Sequence, residues 1–113
     1  MKFLWDIWEI KAIEYLKSKG YKILTTNYKF GRIGEVDIIA SIDQTTVFFE
    51  VKLRTSSYFW EAWESINFSK REKIYKTILS YIQKYKIWED SIRFDIILIQ
   101  WSHIEHYEGC ELL

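Results

Sequence analysis

Four charged residues alternate through two short runs that are otherwise mostly apolar, β-branched or aromatic: Glu35 and Asp37 within Gly34–Ala40, and Glu50 and Lys52 within Val47–Leu53. Carboxylates with a lysine beside them are the groups that hold a hard divalent cation and act on a phosphate ester. The link Ile42-Asp43-Gln44-Thr45 has the length of a hairpin connection, and a turn centred between Asp43 and Gln44 sets the antiparallel register. Asp37 then lies opposite Glu50, and Glu35 opposite Lys52. The same register sets Val36, Ile38 and Ala40 against Val51, Phe49 and Val47, so one face is wholly apolar and the other holds all four charges. Directly opposed Cβ atoms are about 5 Å apart; two carboxylates there raise a pKa or recruit a cation. A solvated salt-bridge ladder is the plainer account of charges on a sheet face, but it would pair opposite signs on every rung. Mg²⁺ is the expected neutraliser, with Mn²⁺ as its substitute.

Around these runs the chain reads as α-β-β-β-α-β. Residues 2–19 form a helix with a stripe through Trp5, Ala12 and Leu16, ending at Lys17-Ser18-Lys19-Gly20. Glu9 interrupts that stripe and projects towards the sheet, where an apolar residue is expected; alternatively it flanks the stripe and snorkels to water. Tyr21–Tyr28 is the first strand, and Gly31-Arg32-Ile33-Gly34 turns into the second. Beyond the third strand come Thr55-Ser56-Ser57 and an aromatic segment with Trp60 and Trp63. A second helix is predicted from Ser69, where Ser69-Lys70-Arg71-Glu72 has capping-box spacing. Its inward stripe is Ile74, Thr77, Ile78, Tyr81, Ile82 and Tyr85, with Lys70 on the upstream edge. Arg93–Gln100 reads as a strand buried on both faces, and His103–Tyr107 as a short edge strand.

The 113 residues, 49% of them hydrophobic, predict one domain spanning 1–113 with one core. A single cysteine, Cys110, excludes an internal disulfide framework and suits a reducing, cytoplasmic setting. No apolar run approaches the length of a membrane span, and the N-terminus does not read as a signal peptide. Net charge is zero, yet residues 52–86 carry eight basic side chains against three acidic ones. Lys70, Arg71 and Lys73 cluster there with Lys52 and Arg54, either as a solvated helix face or as a surface for phosphates. Most of the aromatics are expected in the core; Trp60 and Trp63, following the charged strand, are candidates for stacking on unpaired bases. His103 and His106 fall on opposite faces of a strand and read as surface residues rather than a metal pair.

Asp37 followed by Glu50-Val51-Lys52 resembles the PD-(D/E)xK nuclease motif, with Gly34-Glu35-Val36-Asp37 in place of Pro-Asp. The pattern extends through Glu9, Ala12, Tyr15-Leu16, Gly20-Tyr21, Ile23-Leu24, Asn27, Ile38-Ile39-Ala40, Phe49, Arg54, Glu64-Ser65-Ile66, Lys70 and Arg93-Phe94-Asp95, and is similar to the YraN-like family of small bacterial proteins. That resemblance implies an α/β restriction-endonuclease-like core, a mixed central β-sheet flanked by helices, nearest to archaeal Holliday junction resolvases. It also implies a metal site of Asp37, Glu50, the Val51 carbonyl and Glu9, direct or through water, and a homodimer, since two symmetric cuts need two sites. The chain departs from the pattern in lacking the usual glycines before the first helix and in carrying Trp60 where the family tends to have glycine.

The function expected is divalent-metal-dependent hydrolysis of phosphodiester bonds in DNA, branched or recombination intermediates included. Asp37 and Glu50 hold the ion, Lys52 orients a water or stabilises charge on phosphorus, and Glu35 positions Lys52 or acts as an auxiliary acid. Arg54, Lys70, Arg71, Lys73, Trp60 and Trp63 bind the nucleic acid. The alternative is a nuclease-fold module without turnover that binds nucleic acid or protein. No Gly-rich phosphate loop or cofactor fingerprint points to a small organic cofactor.

Overall fold

The computed structural model describes residues 2–53, 63–64, 66–88, 91–100 and 103–113, with side chains from residue 7 onward. Arg54 and Trp60 lie outside the described residues, as does the Trp5 side chain. Helix α1 (Lys2–Ser18) buries Ala12 and Leu16 completely. Gly20, at φ 93°, ends it: Tyr21 N–H donates to Leu16 O at 3.0 Å and Gly20 N–H to Lys17 O at 3.1 Å, the pair of bonds that a left-handed glycine makes possible after a helix.

Strands β1 (Lys22–Phe30), β2 (Gly34–Ile42), β3 (Thr45–Leu53), β4 (Ile92–Gln100) and β5 (His103–Tyr107) form one sheet in that order. Only β3 and β4 are parallel. The connection between them carries helix α2 (Phe68–Tyr85), as a parallel pair requires a crossover. Two clusters sandwich the sheet. Ala12 and Leu16 of α1 pack with Ile38, Ala40, Val47, Phe49, Val51, Ile97 and Ile99, while Ile74, Ile78, Tyr81 and Ile82 of α2 pack with Ile39, Phe48, Phe94, Ile96 and Leu98. The predicted α/β architecture is therefore the observed one, with β5 added at the edge.

The hairpin register is as predicted, from Ile42↔Thr45 to Ile38↔Phe49, through Asp43 and Gln44 at φ 47° and 66°; positive φ at both turn residues suits the twist of the strands. The ladder stops at Ile38↔Phe49, however, so Asp37/Glu50 and Glu35/Lys52 do not form backbone-paired rungs. Nor is one face of β2 uniformly apolar as expected: Val36 packs with Ile39, Phe48 and Ile74 on the α2 side, whereas Ile38 and Ala40 pack on the α1 side. Opposite Asp37, the β1 pairing passes from Thr26↔Ile38 to Tyr28↔Val36 in one register without Asn27, which is left-handed at φ 52°; the register shift of this strand pair lies between Ile23 and Thr25. The side-chain alternation of β2 changes at Asp37, between Val36 and Ile38.

Helix α2 starts before the predicted Ser69. Asn67 is its N-cap, with Oδ1 accepting from Lys70 N–H at 2.9 Å, since an Asn carboxamide satisfies the third helical N–H as well as a serine hydroxyl does. Ile74, Thr77, Ile78, Tyr81 and Ile82 are buried as predicted, but Tyr85 is half exposed and lies against the Tyr81 ring at 4.5 Å. Gly34 sets how closely α2 approaches β2: a Cβ there would meet Thr77 Oγ1 at 2.5 Å and Lys73 O at 2.6 Å. A helix carbonyl cannot swing aside as a side-chain tip can. Gly34→Ala is expected to cost about 2 kcal/mol or more in urea denaturation, and an unchanged midpoint would show that α2 is not seated against this glycine.

Candidate metal centre

Where β2 and β3 part, the Asp37 carboxylate takes the place of the next ladder acceptor: Val51 N–H donates to Asp37 Oδ2 at 2.8 Å. Asp37 and Glu50 are both buried, 8% and 6% exposed. With Gly34, Glu35, Lys70, Lys73 and Ile74 they line a cleft of about 240 Å³ between the β2 end of the sheet and the start of α2. Loss of water raises the Asp37 carboxyl to about 8, Glu50 and Glu35 push in the same direction, and the Val51 N–H and Lys70 oppose them. Two buried carboxylates offering only oxygen form a donor set that fits a hard divalent cation.

Lys70 reaches from the first turn of α2 to Glu50, Nζ to Oε1 at 2.9 Å. Lys52, half-buried on β3, has its ammonium pKa lowered by burial and by Lys70, against the pull of Glu50 and Asp37. Among the predicted site residues the fold thus gathers Asp37, Glu50, Glu35, Lys70 and Lys73 into one cleft, with Lys52 in the same electrostatic environment. Val51, predicted through its carbonyl, is tied to Asp37 by its N–H.

Glu9 does project towards the sheet and is buried, but it is not among the residues lining the cleft. It accepts from Asn27 Nδ2 at 2.8 Å, and so is bound to the left-handed β1 residue left out of the pairing opposite Asp37. Trp63 and Arg71 are engaged with each other. The guanidinium lies 3.8 Å from the Trp63 ring centroid and donates to Ile66 O and Trp63 O, each at 2.8 Å. Trp63 lines a larger cleft of about 720 Å³ with Tyr15, His106, Tyr107 and residues 108–111, which shares no lining residue with the Asp37 cleft. Size alone would favour the larger cleft, but the paired carboxylates and lysines are in the smaller one.

A second polar centre joins Arg93 and Asp95, named above only within the family pattern, to His106 and Gly109. Asp95, fully buried, accepts from Arg93 Nε and Nη2 at 2.9 Å each, from Gly109 N–H at 3.0 Å and from His106 Nε2 at 2.7 Å. With Nε2 donating, a neutral His106 accepts at Nδ1 from the Tyr15 hydroxyl at 3.0 Å. Arg93 also donates to the Tyr21 hydroxyl at 2.6 Å. His106 is therefore a partly buried structural residue rather than the surface histidine expected, while His103 is exposed beside Glu105. The signal was a lone acid inside the apolar run of β4, the same kind that marks Asp37. Ligand atoms of Asp95, His106 and Glu108 come within 4.8 Å of one another, but the Arg93 guanidinium already engages both Asp95 oxygens, leaving a hydrogen-bonded network rather than a metal cradle. No described helix is long and apolar enough to cross a membrane.

The model of an uncharacterised protein family, UPF0102, matches residues 8–99. A UPF0102 protein of Sulfurihydrogenibium sp. (strain YO3AOP1) is 42% identical over 101 residues, covering 89% of this chain and 87% of its own. One from Alkaliphilus oremlandii (strain OhILAs) is 44% identical over 96 residues (83% and 81%), and one from Clostridioides difficile (strain 630) 45% identical over 92 residues (81% and 80%).

Proposed function

Since this chain belongs to UPF0102, the uncharacterised YraN-like family, and carries a buried carboxylate pair beside two lysines, we propose that it is a divalent-cation-dependent endonuclease acting on DNA. The observation that carries this reading is the Asp37–Glu50 pair at the parting of β2 and β3, where burial and mutual repulsion call for a cation. Asp37, Glu50 and the Val51 backbone would hold Mg²⁺, whose chemistry when bound is to polarise the scissile phosphate and neutralise charge developing on it.

The protein's own groups supply the rest. Val51 N–H fixes the Asp37 carboxylate in one orientation, so little reorganisation remains when a ligand arrives. Lys52 is half-buried with its ammonium pKa lowered, which suits it to donate to a phosphate oxygen and to give up a proton more readily than a free lysine. Lys73 is exposed on the cleft wall, placed for backbone phosphates without reading bases. Glu35 lines the same cleft and adds negative charge against Asp37.

The test pairs Mn²⁺ binding, followed by electron paramagnetic resonance, with cleavage of linear, splayed and four-way DNA in Mg²⁺ or chelator. Lys52→Ala is expected to lower cleavage about 100-fold or more while Mn²⁺ and DNA binding stay within about threefold. A wild-type protein that holds no Mn²⁺ even with DNA present would sink the hydrolytic reading and leave a binding module on a nuclease-like fold.

A further inference from the structure

We propose that Lys70 is a resident counter-ion which a divalent cation must displace, and that the displaced ammonium then serves the DNA backbone, so that cation and DNA binding reinforce each other. The proposal rests on the nuclease reading above and adds to it how the site is regulated. Lys70 Nζ lies 2.9 Å from Glu50 Oε1, on an oxygen of one of the two carboxylates assigned to the metal. One ammonium answers one charge; a dication answers both, and the two cannot share that oxygen at contact distance.

The geometry allows the exchange. The Lys70 backbone is pinned, its N–H bonded to Asn67 Oδ1 in the first turn of α2, so release needs only side-chain motion. That side chain is 45% exposed while the Glu50 side chain is 8% exposed: the anion stays in place and the cation has room to leave. A lysine is a point charge on a flexible stem with no fork geometry to lose, and ion pairs open to water are weak enough to exchange. Lys73, one turn along, is already exposed on the same cleft. A freed Lys70 therefore joins it as a second phosphate partner at the mouth of the site. By linkage, whatever displaces Lys70 from Glu50 strengthens DNA binding, and DNA strengthens cation binding by the same factor.

The experiment measures the Mn²⁺ dissociation constant by electron paramagnetic resonance, with and without a short DNA duplex, and the DNA dissociation constant with and without Mn²⁺. In the wild type each ligand should tighten the other about tenfold. Lys70→Gln should bind Mn²⁺ about threefold or more tighter in the free protein, while the enhancement by DNA falls to about twofold. Lys70→Arg keeps the charge and adds a fork that can grip Glu50 through two N–H groups, so it should bind Mn²⁺ no tighter than the wild type in the free protein. Lys73→Gln removes the same charge from the same cleft and should leave Mn²⁺ binding in the free protein within about twofold of wild type.

Equal or weaker Mn²⁺ binding by Lys70→Gln overturns the proposal, and so does Lys73→Gln matching its gain, since the effect would then be general charge rather than exchange at Glu50. Absence of Mn²⁺ binding in every variant overturns the nuclease reading and this proposal together. Wild-type Mn²⁺ binding without the Lys70 effect overturns this proposal alone.

Discussion

Asp95→Ala is expected to destabilise the domain by about 3–5 kcal/mol, enough to leave much of a marginally stable chain unfolded at ambient temperature. Asp95 is fully buried at the parallel β3–β4 pair, where it faces Phe49 in register and takes donors from Arg93, His106 and Gly109. Alanine would take the shared acceptor from the guanidinium, the imidazole and the Gly109 N–H at once, leaving Arg93 held by the Tyr21 hydroxyl. Burial works to raise the Asp95 carboxyl, but the His106, Arg93 and Gly109 donors outweigh it and hold it below the usual carboxylate range. Its folded pKa therefore lies below the unfolded value. The stability it contributes is present above about pH 4 and is lost as pH falls through the lower, folded pKa. Urea denaturation as a function of pH checks both points: the wild type should lose stability below about pH 4 more steeply than Asp95→Asn does. A variant with an unchanged midpoint would show the network to be incidental.

Asp37→Asn is expected to do the opposite, raising stability by about 2–4 kcal/mol at pH 8 while abolishing Mn²⁺ binding. The Asp37 carboxyl is raised to about 8 by burial and by Glu50, so between about pH 4 and 8 the folded state holds a proton that the unfolded chain has released. Stability then falls as pH rises through that window. Asparagine keeps an oxygen for Val51 N–H and has no charge to bury. Its advantage should be close to zero near pH 4, grow with pH and level off above about 8. Saturating Mg²⁺ should narrow or reverse the gap, because the ion stabilises only the protein that binds it. Thermal denaturation at pH 5 and 8, with and without Mg²⁺, is the measurement; a gain independent of pH would remove the electrostatic explanation. A residue whose replacement stabilises the fold but empties the site is retained for function at a cost in stability.

Much of this was legible in the residues because local rules decide it. Asp43-Gln44 sets a two-residue turn, the turn sets the register, and the register sends Ile39 and Phe48 to one face and Ile38 and Phe49 to the other. Gly20 ends α1 because only a left-handed residue closes its last carbonyls comfortably. Lys70 was legible as a residue on the helix edge able to reach the sheet. What the pattern missed depended on partners distant in sequence. Asp95 reads as one acid in an apolar run until His106 and Gly109 arrive from beyond β4 and Arg93 turns back onto it.

The sequence by itself determined the strand pair, its register and the residue types at the carboxylate site, since these follow from period-2 alternation and turn chemistry over a span of 20 residues (34–53). Only the tertiary structure decided that Asp37 leaves the ladder to take the Val51 N–H, that Lys70 already occupies Glu50, and that Glu9 is held by Asn27. Each depends on where a strand loses its partner or how closely a helix approaches. Those distances are set by side chains such as Gly34 and Thr77, 43 positions apart, and no local periodicity encodes a contact between residues that only packing of the core brings together.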